Sequence, residues 1–126
     1  MKPHEIPIRL VIIDPTLEFE VLTLLTNSNL HVTSRHLVLN ELDAAARSLS
    51  IVITTRESVE IEQRHFAVED FFEIFVIGST GVAGIRSVPR EELMELPGLI
   101  NQVLENVAAP PLVEQKFKVL GVTPRA

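Results

Sequence analysis

Three short stretches of this chain carry the residue types from which a strand-end site is built. In "RLVIIDPTLEF" an apolar run leads straight into Asp14. A carboxylate in that position can ligate a hard cation such as Mg²⁺ or handle a proton. In "SIVITTRES" a second apolar run ends in the hydroxyls of Thr54 and Thr55. In "FVIGSTGVAG" a third run opens into Gly78, Ser79, Thr80 and Gly81, with Gly84 following. Successive backbone N–H groups in such a turn can form a nest for an anion. Asp14, Thr54, Thr55, Gly78, Ser79, Thr80 and Gly81 are therefore the candidate ligand-binding residues. A phosphate-containing metabolite or a nucleotide is the ligand they would suit.

The same inventory limits the chemistry. The chain has no Cys, which removes thiolate catalysis, disulfides and Cys-ligated metal centres. A threonine hydroxyl is a poor nucleophile without a neighbouring base, and no His falls at these strand ends. His4, His31, His36 and His65 are scattered, and none has helical i, i+4 metal spacing. No Walker or dinucleotide-binding glycine pattern is present. The expectation is no catalytic residue, no metal and no cofactor.

Elements that bring those stretches to one edge can be read from the pattern. "IRLVII" (8–13), "SIVITT" (50–55) and "FEIFVIG" (72–78) are continuous apolar runs, the mark of strands covered on both faces. "LHVTSRHLV" holds a weaker strand at 30–34, and "IRSV" a short edge strand before Pro89. Between them, Leu17, Val21, Leu24 and Leu25 share one helical face, with Asp14 or Thr16 as cap and Pro15 tolerated in the first turn. Leu39, Leu42, Ala46 and Leu49 form a second face, with Asn40 as a possible cap. "RESVEIEQRHFAVEDFF" reads as a helix or helical turn, and Pro97 should end one helix or start another. Strands alternating with helices imply right-handed βαβ units, a parallel sheet and a crevice beyond the strands' carboxyl ends. The expected fold class is α/β, a three-layer flavodoxin-like arrangement with a four- or five-stranded, mainly parallel sheet.

The bulk composition sets further bounds. A chain of 126 residues suits one domain, and 46% hydrophobic residues allow a substantial core. Net charge is −6, with no run of Lys or Arg and no Trp or Tyr, which argues against nucleic acid and anionic membranes. The opening "MKPHEIPIRL" lacks the apolar centre of a signal peptide, and no apolar run approaches the ~20 residues of a membrane helix. A cytoplasmic protein is expected. The acids Glu57, Glu60, Glu62, Glu69, Asp70 and Glu73 form either a solvated face or a docking surface for a basic partner. After Pro110-Pro111 the stretch "KFKVLGV" alternates like a strand. Phe117, Val119 and Leu120 are its candidate interaction residues, with strand addition in a homo-oligomer as the expected use. The division expected is a domain over 1–107 and a tail or linker over 108–126.

From roughly Ile8 to Val107 this chain resembles the receiver domains of bacterial response regulators. "IRLVIIDPTLEFEVLTLL" is similar to their first strand, acidic end and first helix, "LDAAARSLSIVIT" to the second helix and third strand, "FEIFVIGS" to the fourth strand. "VPREELMELPGLINQVLENV" is similar to the fifth strand's Lys-Pro and the last helix. The resemblance implies five functional positions. The Mg²⁺-binding acid pair falls on Asp14 alone. The phosphoryl-accepting Asp falls on Thr55, or on Thr54 with a one-residue slip. The Ser/Thr position falls on Ser79 or Thr80, and the Lys position on Val88. A weaker resemblance, carried by "LNELDAAARSLSIVITTRES", is to sugar phosphotransferase IIB domains, whose phosphate-carrying Cys is absent. What the resemblance implies is a degenerate receiver: a non-catalytic regulatory or assembly module acting through a protein partner, without phosphoryl transfer. A small-ligand binder or enzyme at the strand-end edge, and a structural subunit of a larger complex, are the alternatives.

Overall fold

The structure, a computed structural model, describes residues 6–62, 66–78 and 85–108. Five strands form one sheet: β1 (Ile8–Val11), β2 (Ser34–His36), β3 (Ile51–Thr55), β4 (Glu73–Ile77) and β5 (Arg86–Val88). They lie in the order β2-β1-β3-β4-β5 and every pairing is parallel. The helices are α1 (Pro15–Asn27), α2 (Ala44–Leu49), α3 (Arg56–Ile61) and α4 (Leu96–Ala108), with 3-10 segments at Leu39–Glu41, Val68–Asp70 and Arg90–Glu95. This is the three-layer, flavodoxin-like α/β arrangement the apolar runs predict. The chain divides into two compact units. The one spanning Ile6–Ile100 holds all five strands, and residues 101–108 of α4 belong to the other.

The layers follow from the strand order. The step from β1 to β2 runs one way across the sheet, and the steps from β2 to β3, β4 and β5 run the other. With right-handed crossovers, α1 then lies on one face and α2 and α3 on the other. Alternation along the strands agrees. Val11, Val52, Ile74 and Val76 pack with Leu39, Leu42, Val59 and Phe71 on the α2–α3 face. Leu10, Ile53 and Phe75, fully buried, occupy the alternate positions. The buried face of α1 is Leu17, Val21 and Leu25.

Local chemistry moved several boundaries. The first strand ends at Val11, so Ile12, Ile13 and Asp14 form the turn into α1. The second strand is Ser34–His36, not 30–34, because α1 ends in a Schellman turn. Asn29 there takes φ 62°, and the Leu30 and Asn29 N–H groups return to the Leu25 and Thr26 carbonyls at 2.9 and 3.1 Å. Leu30 is thereby a buried plug rather than a strand residue. The helix expected from Leu39 breaks in two. Asp43, not Asn40, caps α2, accepting from the Ala46 N–H at 2.8 Å. Arg47 donates to the carbonyls of Leu39 and Leu42 at 2.9 and 3.1 Å, which removes the need for a continuous helix there. Pro97 stands in the first turn of α4, where its missing N–H has no cost.

Candidate functional site

The carboxyl ends of β1, β3 and β4 bring Asp14, Thr54, Thr55 and Gly78 to one edge, as the topology requires. The three side chains all make local hydrogen bonds. Asp14 lies three positions past the last strand residue and is exposed. One of its oxygens accepts from the Thr16 N–H at 2.9 Å and the Leu17 N–H at 3.4 Å, so it serves as the N-cap of α1. Thr55 does the same for α3, accepting from the Ser58 N–H at 3.3 Å. The fully buried Thr54 donates to the Val11 carbonyl at 2.7 Å, and the Ser58 hydroxyl reaches the same oxygen at 3.5 Å. Val88 is buried. Arg56 is the cation nearest this edge in sequence. It donates to Glu60 at 2.8 Å, and that hydrogen bond pushes its pKa above the usual arginine value.

Gly78 follows β4 with φ +105°, a conformation other residues rarely adopt, and its N–H donates to the Val88 carbonyl at 2.9 Å. Ser79, Thr80 and Gly81 lie outside the described residues, as do Phe117, Val119 and Leu120. Among the described residues, no group of three or more His, Asp or Glu side chains is placed to hold a metal.

The acidic stretch after β3 is broken up by pairing. Glu60 binds Arg56, Glu62 faces Arg47 at 3.5 Å, and Glu73 binds Arg86 at 2.9 Å. Half of those six acids are thus tied to local arginines rather than offered as one surface.

Two features escaped the sequence reading. The first is a polar chain near the amino ends of the strands. Arg9, lying inside the apolar run of β1, donates to Ser50 at 2.8 Å and to Ser34 at 2.9 Å. Ser34 meets His36 Nε2 at 2.8 Å, and His36 Nδ1 faces Glu41 at 3.5 Å. Arg9, His36 and Glu41 line a cavity of about 420 Å³; Ser34 is not among its walls. Its oxygen is occupied by the guanidinium, and the chain reads as a tether of edge strand β2 to β1 and β3. The i, i+2 spacing of Ser34 and His36, and an arginine within an apolar run, were the available signals.

The second is a groove of about 620 Å³ between α1 and the 3-10 segment Arg90–Glu95. Phe19, Leu24, Leu93 and Met94 supply its apolar lining. Phe19 and Met94 are 70% and 78% exposed, the two most exposed large apolar side chains among the described residues. Arg90 spans the groove to Glu20 through two bonds of 2.7 and 3.4 Å.

Fold and edge together define a flavodoxin-like α/β protein in which Asp14, Thr54 and Thr55 each bond to its own backbone. Comparison with protein-family models, with characterised proteins and with solved structures finds no match to this chain. No helix among the described residues is long and apolar enough to cross a membrane.

Proposed function

We propose that this chain is a receiver-like regulatory or assembly module that works by protein–protein contact, without phosphoryl transfer, in the cytoplasm. One observation carries the reading: the described hydroxyls at the strand-end edge are engaged locally, while the two most exposed large apolar side chains share one groove elsewhere. Asp14 and Thr55 cap helices, and Thr54 and Ser58 bind the Val11 carbonyl. A phosphoryl acceptor needs a free carboxylate or activated hydroxyl, a metal held by more than one hard ligand, and a cation for the developing charge. Asp14 is one carboxylate, Thr55 is bound, and Val88 brings no charge. Phe19 and Met94 stand instead around one groove on α1, where a partner's apolar side chains would be buried.

The test is phosphorus NMR and thermal shift with acetyl phosphate, and with beryllofluoride plus Mg²⁺. The expected result is no adduct and no Mg²⁺-dependent shift. A Mg²⁺-dependent adduct would overturn the reading and make Asp14 a metal ligand.

A further inference from the structure

We infer that the groove between α1 and Arg90–Glu95 receives a basic amphipathic helix from a partner protein. The inference rests on the contact-module reading and specifies its partner. Shape comes first. The α1 residues at the groove are Thr16, Phe19, Glu20, Thr23, Leu24 and Asn27. Their spacing of three, four, seven, eight and eleven is one unbroken stripe along the helix. At 1.5 Å per residue the stripe is roughly 17 Å long, the length of about three helical turns. An elongated occupant fits such a stripe, and a helix laid in an apolar groove is a common way to fill it. Met94, flexible at the far wall, can adapt to the side chains it meets.

Charge then chooses the occupant. Of the residues lining the groove, Glu20 and Glu91 are acidic and Arg90 is basic, and Glu92 and Glu95 stand beside them in the same 3-10 segment. Arg90 is already bound to Glu20. Among the described residues, Glu91, Glu92 and Glu95 have no basic group within 4.0 Å, and all three are exposed. A second copy of this chain would set these acids against their own kind, which disfavours self-association through the groove. A helix with an apolar face and flanking Lys or Arg buries Phe19 and Met94 and answers the acids.

The experiment uses the full chain and two synthetic helical peptides with the same leucine face, one with a lysine polar face and one with glutamate. Binding is measured by calorimetry and mapped by amide NMR shifts. The lysine peptide is expected to bind at least tenfold more tightly, with shifts confined to α1 and residues 90–95. Phe19→Ala should weaken it tenfold or more, the effect of removing a buried aromatic anchor. Glu91→Lys/Glu92→Lys/Glu95→Lys should reverse the preference. Equal binding of both peptides through Phe19 would overturn the basic partner while leaving a contact module. Lysine-peptide binding indifferent to Phe19→Ala, or sedimentation showing Phe19-dependent dimers, would overturn the groove assignment. No binding by either peptide would overturn it as well, and the phosphorylation test above would then judge the wider reading alone.

Discussion

Asp14 offers the sharpest test, because its two readings predict opposite signs. As the cap of α1 it accepts a good hydrogen bond from Thr16 at 2.9 Å and a marginal one from Leu17 at 3.4 Å. Removing the side chain in Asp14→Ala forfeits about one effective bond, about 1 kcal/mol for a helix cap. The carboxylate also faces the positive end of the α1 dipole at an exposed position, worth about 0.3–1 kcal/mol more at low salt. The total is about 1–2 kcal/mol, which for a unit of this size lowers Tm by roughly 4–8 °C per kcal/mol. Asp14→Asn keeps the acceptor and loses the charge, so it should cost only the dipole part, and that part should shrink in high salt. Urea and thermal unfolding of the three proteins at two salt concentrations make the measurement. An acid held in a functional pocket against its own stability behaves differently, and its removal raises stability. Unchanged or raised stability in Asp14→Ala, or an equal loss in Asp14→Asn, would refute the capping assignment.

Further changes probe the surrounding architecture. Thr54→Val preserves shape but removes the 2.7 Å hydroxyl bond to the Val11 carbonyl; it should cost about 1 kcal/mol in urea unfolding. Arg9→Met strands the fully buried Ser50 hydroxyl and frees Ser34, and should cost about 2 kcal/mol. In a double-mutant cycle Arg9→Met and Ser34→Ala should couple by at least about 0.5 kcal/mol, whereas additive losses would contradict the tether. Asn29→Gly should preserve stability at φ 62°, while Asn29→Val should lose about 1–2 kcal/mol, both read by thermal unfolding.

The sheet was legible because its signal is strong and local. Val52 and Ile53 at the centre, with Ile74, Phe75 and Val76 beside them, form runs that only a doubly covered strand accommodates. With helical spacing in Leu17, Val21 and Leu25, they define βαβ units before any coordinate is known. Boundaries were less legible because hydrogen bonds of a few residues decide them. Asp43 against Asn40 is a choice between two good caps, settled by Arg47 reaching back to Leu39 and Leu42 across the intervening turn. The short β2 was placed too early in the chain for a similar reason, since the Schellman turn claims Leu30 before a strand can. The groove was the least legible feature. Its walls join Phe19 and Met94, which stand 75 positions apart in sequence. An exposed Phe cannot be told from a buried one by its type alone.

The edge itself shows why residue type and position underdetermine function. In a parallel α/β sheet the carboxyl end of a strand is also where the following helix begins. An Asp or Thr there has two uses: its oxygens can reach across the crevice to a ligand, or turn back onto the next helix's free N–H groups. Both uses favour the same residue types at nearly the same positions, so the pattern "IDPT" or "ITTRES" supports either. Direction separates them. Asp14 points at Thr16 and Leu17, Thr55 at Ser58, and Thr54 at the strand beside it, each within its own supporting frame. Thr54 and Thr55 must give up a bond before serving a ligand, at about 1 kcal/mol each, whereas Asp14 caps through Oδ1 alone. The edge as folded therefore stabilises α1 and α3, and under the proposed contact role recognition falls to other surfaces. In the α1 groove Glu20 and Arg90 hold each other, whereas Phe19 and Met94 give up only water when a partner covers them.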